Sequence, residues 1–147
     1  MRDHAVRDGR DSGGFCRLFG AVILWLLGYP DQARQWSEAA LTQAQEFGHA
    51  YTLQQALGVS ALLHLLRRKA AVAQARAEAQ RALCTEHGFA VYLAWGTSEW
   101  GSALAAQGTW AEGPAQRREG LAAYRVRARI PWLLFLGLRA EACGRAG

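Results

Sequence analysis

Short breaks between apolar segments recur at a fixed spacing along this chain, and that spacing constrains the fold more than any other feature. Gly48 and Gly88 lie one such spacing apart, and Gly28 and Gly108 lie two spacings apart. Gly147 follows Gly108 after nearly one more. The spacing is about 40 residues, and a fixed period of this size is typical of arrays of one repeated structural unit. We therefore expect the chain to contain several copies of such a unit.

The segments between the breaks have the composition of helices. Ala, Leu, Gln, Glu and Arg dominate them, while the strand formers Val, Ile and Thr are scarce. Glycine at a break suits the left-handed residue that ends many helices. Because the breaks are short, each helix should run antiparallel to the one before it. The predicted helices lie roughly at 16–27, 31–47, 50–67, 70–87, 90–107, 111–127 and 132–145.

Small residues recur at fixed offsets inside these helices. Ala33 and Ala40 follow Gly28 by five and twelve residues, and Gly120 follows Gly108 by twelve. Small side chains fit where two antiparallel helices cross closely. This spacing resembles the tetratricopeptide repeat. We expect an all-α fold, a tetratricopeptide-like α-solenoid of about three and a half antiparallel helix pairs.

The same pattern divides the chain into a leader and a repeat domain. Residues 1–14 are charged, Gly-rich and non-periodic, which predicts a flexible leader. Residues 15–147 form the predicted repeat domain. For the second unit two registers remain open, with the turn between its helices at Arg68 or at Ala70. The expected units are 15–48, 49–88, 89–128 and a partial unit at 129–147.

The last predicted helix is apolar where a solenoid normally ends in a polar cap. Residues 132–136 are Trp, Leu, Leu, Phe and Leu. This predicts an exposed apolar end, self-association through an uncapped C-terminal helix, or a chain that is a fragment of a longer protein.

Composition argues against several classes of protein. The net charge is +5, but the arginines are scattered and the longest basic run is 67–69, so nucleic-acid binding is not expected. The longest apolar run, 18–27, is half the length that a membrane-spanning helix needs, about 20 residues. The three cysteines are odd in number and lack CxxC spacing, which predicts free, mostly buried thiols in the cytoplasm. They are Cys16, Cys84 and Cys143.

Three segments resemble a bacterial family. The sequences LLGYPDQA at 26–33, LAWGT at 93–97 and GLAAYR at 120–125 are similar to the helical-repeat region of large multidomain signalling proteins. In that family, often described as predicted ATPases or adenylate/guanylate cyclases, the repeats follow an ATPase module. The resemblance covers roughly 11–147 and implies a parent protein with a nucleotide-binding switch.

No catalytic machinery of that family is present in the sequence. There is no Gly-rich phosphate loop followed by Lys and Ser or Thr, and no pair of metal-binding aspartates in a cyclase context. The four histidines have no metal-ligand spacing, and no serine lies in a nucleophile-elbow motif. We therefore predict no enzyme activity, no cofactor and no metal site. The histidines are His4, His49, His64 and His87.

The carboxylates are expected on helix surfaces. Glu38 with Arg34, and Glu78 with Arg81, have the spacing of modest surface ion pairs. Glu99 is interpreted in the same way, as a single carboxylate on a helix face. A paired-carboxylate active site is not predicted.

The six tryptophans are the most unusual feature, and most are expected in the core between repeats. The first helix of each pair lines the concave face of such an array. A groove with aromatic and basic residues would suit a peptide or an acidic protein segment. The predicted lining residues are Trp25, His64, Arg67, Trp95, Ser98 and Ser102.

These patterns predict a non-catalytic protein-interaction or sensory scaffold in a cytoplasmic signal-transduction protein. The expected partner is a protein or peptide segment, or another domain of the parent protein. Two alternatives remain open. One is a regulatory segment of an ATPase or cyclase that has no activity alone. The other is a helical bundle that binds an apolar small ligand.

Overall fold

A computed structural model of the chain describes residues 12–108 and the single residues 115, 118 and 119. The 12–108 segment is all helical and contains no strand, as the composition predicts. Five helices are described, and the predicted helices at 111–127 and 132–145 lie almost wholly outside the described residues. The helices are α1 (Ser12–Leu26), α2 (Pro30–Phe47), α3 (Ala50–Leu66), α4 (Ala70–His87) and α5 (Ala90–Ala106).

The helices follow a regular spacing. α2 to α5 begin at residues 30, 50, 70 and 90, and they contain 18, 17, 18 and 17 residues in turn. Their bounds agree closely with the sequence prediction. α1 differs, because it begins at Ser12 rather than near residue 16, so residues 12–14 of the predicted leader are helical.

The turns between the helices also recur regularly. A residue with positive φ follows each described helix, and successive residues of this kind lie half a period apart. Gly48 and Gly88 end α2 and α4 in the left-handed conformation, which a residue without a Cβ adopts at little cost. At Arg68 the chain adopts the same conformation with φ of 60°. The second unit therefore has its turn at Arg68, which decides between the two registers left open by the sequence. The five residues are Gly28, Gly48, Arg68, Gly88 and Gly108.

Contacts between the helices follow an alternating order. α3 lies in the middle and contacts the other four described helices. α1 contacts α2 and α3, and α5 contacts α3 and α4. α1 and α3 are therefore neighbours, as are α3 and α5, and α2 and α4 connect them along the chain.

Buried residues repeat along α2 and α4 with steps of four, three and four positions. This spacing places them on one helix face. Ala33 and Ala40, which were predicted at close helix crossings, are buried. The four positions in α4 lie one full period after those in α2, so the packing repeats with the backbone. The residues at these steps are Ala33, Ser37, Ala40 and Ala44 in α2, where Leu41 is buried as well, and Ala73, Ala77, Gln80 and Cys84 in α4.

Two glycines allow α4 to approach its neighbours. A Cβ at Gly58 of α3 would lie 2.6 Å from Nε2 of Gln80 and 3.0 Å from Cη2 of Trp95. A Cβ at Gly96 of α5 would lie 2.9 Å from Oε1 of Gln80. The Gln80 side chain therefore occupies the space that a side chain on either of these two glycines would need.

Candidate interaction surface

The structure places the six predicted groove residues in different surroundings. Trp95 and Ser98 are buried, so they contribute almost no surface. Trp25 is partly buried and packs against the apolar core. Ser102 donates a hydrogen bond of 2.9 Å to the backbone oxygen of Ser98, one turn earlier in α5. Whether these residues line a groove stays a prediction.

His64, another of the six, lies toward α2 and α4. Burial lowers the pKa of its imidazole, and the charges of Arg67 and Arg76 lower it further. Glu38 and Arg34 of α2 also act on it, with Glu38 opposing the shift. Burial and the charges of three arginines thus favour the neutral form of His64. Arg67, the sixth residue, is partly buried at the end of α3.

Glu99 is fully buried, whereas its single-carboxylate pattern predicted a surface position. Its Oε1 accepts a hydrogen bond of 2.9 Å from Nε1 of Trp95, and its Oε2 has no hydrogen-bond partner. Desolvation raises the pKa of Glu99 well above its usual range, and the bond from Trp95 opposes this only in part. The prediction of a surface carboxylate is therefore wrong.

A period-based alignment would have indicated that Glu99 is buried. One period earlier the position holds Val59, which is buried in α3. Two periods earlier it holds Phe19, which is 51% exposed, so this position is buried in α3 and α5 but not in α1. The signal for burial is therefore the equivalence of Glu99 to Val59 alone.

A second buried polar group joins α3 to α4. Nε2 of Gln80 donates to Oε1 of Gln54 at 3.3 Å, and Sγ of Cys84 lies 4.0 Å from the same oxygen. Both glutamines are completely buried. Burial raises the pKa of Cys84 to about 11, so its thiol stays protonated and unreactive at neutral pH.

Aromatic and polar side chains meet where α3 faces α5, and we call Tyr51, Gln55, Phe89 and Tyr92 the tyrosine seam. The hydroxyl oxygens of Tyr51 and Tyr92 lie 2.6 Å apart in a hydrogen bond. Nε2 of Gln55 donates to both, at 3.4 and 3.5 Å. Tyr51 makes edge-to-face contacts with the rings of Phe89 and Tyr92, with centroids 5.8 and 5.4 Å apart.

The tyrosine seam is half-buried and combines apolar rings with groups that donate and accept hydrogen bonds. Tyrosine contributes strongly to protein interfaces because its rigid ring buries much area at small entropic cost. Trp95 lies next to the seam, 6.4 Å from Tyr92 between ring centroids. Sequence reasoning identified Trp95 but missed the two tyrosines, since they lie 41 residues apart and contact each other only through packing of α3 on α5.

A more exposed network crosses from α4 to α5. Oε1 of Glu78 accepts hydrogen bonds from Nε1 of Trp100 at 2.9 Å and from Nε2 of Gln74 at 2.8 Å. The guanidinium of Arg81 lies 4.4 Å from the centroid of the Trp100 ring. Nε2 of Gln107 donates to Oε1 of Gln74 at 2.7 Å.

These contacts distinguish the two predicted ion pairs. Arg34 and Glu38 form the predicted surface pair, with 2.9 Å between Nη1 and Oε2. Glu78 instead makes its hydrogen bonds with Gln74 and Trp100, and Arg81 stacks on Trp100. The hydrogen bonds, more than the charge of Arg81, lower the pKa of Glu78.

The described residues contain no cluster of His, Cys, Asp or Glu that could hold a metal ion. Among the same residues, no helix is both long and apolar enough to cross a membrane.

Cys84 is a buried free thiol as predicted, while Cys16 is a free thiol that is exposed. Cys143 lies outside the described residues.

Comparisons with known proteins give no relative for this chain. No protein-family model matches it, and searches of curated proteins and of solved structures find no significant match.

Proposed function

We propose that this chain is a non-catalytic protein-interaction scaffold, built from tetratricopeptide-like helix pairs in a solenoid. The proposal places it in the cytoplasm, as part of a larger bacterial signal-transduction protein. Its partner would be a peptide segment, either from another protein or from another domain of the same protein.

One observation carries the proposal, namely that backbone and packing share one period. Helix starts, turn residues and the buried positions of α2 and α4 all recur with it. Arrays of helix pairs generally use their extended surfaces to bind other proteins. The contacts of α1 with α3, and of α3 with α5, are those expected when the first helices of successive pairs stack side by side.

The tyrosine seam is the part of this array best suited to hold a peptide. Its hydroxyl and amide groups could hydrogen-bond a peptide backbone, while its rings could cover apolar side chains. Of the residues predicted from sequence, Arg67 supplies a charge that would favour an acidic partner.

Selection of peptide ligands for the full chain from a random library tests this function. Tyr92→Phe keeps the ring but removes one hydroxyl, and Gln55→Ala removes the amide that bonds both tyrosines. We expect selected peptides to bind these two variants at least about tenfold more weakly, which corresponds to loss of a hydrogen bond in a desolvated interface.

Arg34→Ala is the matched control. It removes a charge from the exposed pair of Arg34 with Glu38, and this pair lies far from the tyrosine seam in the sequence. Circular dichroism would establish that each variant remains folded. If no peptide is enriched, or if binding is insensitive to both seam variants, the proposed site is wrong.

A further inference from the structure

The first helix exposes an apolar stripe. Ile23, Leu26 and Leu27 are 55%, 68% and 66% exposed, and Phe19 on the same side is 51% exposed. Trp36 of α2 is also exposed and lies beside the stripe, since a Cβ at Gly20 would be 2.6 Å from its ring. Most of the exposed large hydrophobic residues in the described part of the chain belong to this region. A patch of this kind on a small protein marks an interaction site.

Contacts of α5 reveal what this side of a helix does within the array. Tyr92 bonds Tyr51 of α3, and Gly96 leaves space for Gln80 of α4. Further along α5, Trp100 and Gln107 donate hydrogen bonds to side chains of α4. All four residues therefore contact the preceding helix pair, which consists of α3 and α4.

Two of the four equivalent positions in α1 are exposed. Two periods before the four contact residues of α5 lie Ser12, Cys16, Gly20 and Leu27. Cys16 and Leu27 are exposed, and the side chain of Ile23 lies between them on the same helix face. The stripe thus corresponds to the face with which α5 contacts the pair before it.

α3, the middle helix, also indicates that the stripe is the face that contacts a preceding helix pair. Val59 and Leu63 of α3 lie one period after Phe19 and Ile23, and they are 3% and 2% exposed. α3 contacts one helix pair before it and further helices after it, whereas in α1 the equivalent positions are exposed. Phe19 and Ile23 are thus exposed in α1, while their equivalents are buried in α3, which has a helix pair before it.

We propose that the apolar stripe of α1 is a docking surface for another helix pair of the same repeat. Such a pair would present two helices with small residues at steps of four, three and four positions, as α2 does. The charge of α1 fits this occupant, because Arg17 is its single charged residue and bonds Gln43 of α2. An apolar pair of helices suits the stripe better than an acidic peptide does.

A helix pair is also favoured over a second copy that pairs α1 with α1. α3 and α5 each contact two helices of the preceding pair. In a dimer that pairs α1 with α1, only one helix would face the stripe, and part of the stripe would stay exposed. The docking proposal rests on the same repeat geometry as the proposed function, but it does not require a peptide ligand.

An in-register duplication tests the proposal with the full chain. In this variant, residues 1–51 are followed directly by residues 12–147, so that Ser12 takes the place of Thr52 after Tyr51. The added pair should dock on the stripe of the following copy. We expect the melting temperature to rise by on the order of 5 °C, because each added unit contributes an interface with its neighbour.

Ile23→Glu provides a control within the same molecule. In the second copy the new glutamate would be buried beneath the added pair, and the gain in melting temperature should disappear. In the first copy it faces solvent, and the gain should remain. Equal effects in both copies would overturn the proposal, as would a duplicated chain that is no more stable than the original or fails to fold.

Sedimentation of the original chain tests the other occupant. A dimer that Ile23→Glu converts to a monomer would make a second copy the occupant and overturn the proposal, whereas a monomer in both forms agrees with it. A failure to select any peptide would count against the tyrosine seam as a binding site. It would not affect the docking proposal for α1.

Discussion

Nε1 of Trp95 donates a hydrogen bond of 2.9 Å to Oε1 of Glu99, one helical turn along α5, and both side chains are buried. The bond satisfies the indole and one carboxyl oxygen, but the second oxygen, Oε2, has no partner. A carboxylate in this position is costly to ionise, so its uncharged form is favoured. The pair therefore links a buried aromatic residue to the pH dependence of the stability of the chain.

Glu99→Gln should remove part of that pH dependence. The pKa of Glu99 is raised well above 4.5 in the folded chain, so the folded chain retains a proton that the unfolded chain releases. The contribution of Glu99 to the free energy of unfolding is therefore complete below about pH 4.5, and it is lost as pH rises toward the raised pKa. We expect the variant to equal the wild type near pH 4 and to exceed it at pH 8. Urea unfolding across this pH range measures the difference.

Glu78→Gln is the control for that experiment, because the pKa of Glu78 is lowered rather than raised. Its contribution is present above its unfolded pKa and is lost as pH falls through the lowered value. The two variants should therefore change the pH profile in opposite directions. Parallel profiles for the wild type and Glu99→Gln would contradict the burial of an ionisable Glu99.

Gly58→Ala should destabilise the chain although alanine favours helices. The new Cβ would lie 2.6 Å from Nε2 of Gln80 and 3.0 Å from Cη2 of Trp95, and both neighbours are buried. Overpacking of this kind costs about 1–3 kcal/mol. Gln80→Ala removes the nearer obstacle, so Gly58→Ala should cost less in that background, as a double-mutant cycle would measure. An increase in stability in the wild-type background would refute the close crossing.

Arg68→Gly should stabilise the turn between α3 and α4. Arg68 has φ of 60°, which costs a residue with a Cβ about 1 kcal/mol, while glycine adopts it freely. Arg68→Ala is the matched comparison, because both changes remove the arginine side chain and only glycine relieves the backbone. We expect the glycine variant to exceed the alanine variant by about 1 kcal/mol in free energy of unfolding. Equal stabilities would mean that the turn is not left-handed.

The described cysteines should differ sharply in reactivity. Cys16 is exposed, whereas Cys84 is buried and has its pKa raised to about 11. At pH 8 an alkylating reagent should modify Cys16 rapidly, and Cys84 only after denaturation. Mass spectrometry of digested protein identifies the labelled residue. Rapid labelling of Cys84 in the folded chain would contradict its position between α3 and α4.

The period and the helix bounds could be predicted from the sequence because their physical signals are local. Gly48 and Gly88 end helices through their own backbone freedom, and Pro30 starts α2, where its missing N–H costs little. Arg68 lacks this signal, since arginine is not a typical left-handed residue, and its turn is set by the spacing of the helices around it.

The candidate interaction surface was harder to predict because it depends on packing between helices. The pattern around Glu99 resembles that of a surface carboxylate, and burial follows only from its equivalence to Val59. The contact of Tyr51 with Tyr92 depends on how α3 lies against α5. Periodicity identifies the inward positions of a helix but does not identify which distant residues meet there.

A pair of deletions tests the period most directly. Removing residues 50–89 takes out one full period and joins His49 to Ala90, so the remaining helices keep their faces and order. Removing residues 50–69 takes out half a period, which is one helix, and reverses the direction of every helix that follows. Circular dichroism and urea unfolding would compare the two variants. We expect the full-period deletion to unfold cooperatively at a lower urea midpoint and the half-period deletion to lose its fold. Equal disruption by both deletions would contradict a structural period of about 40 residues.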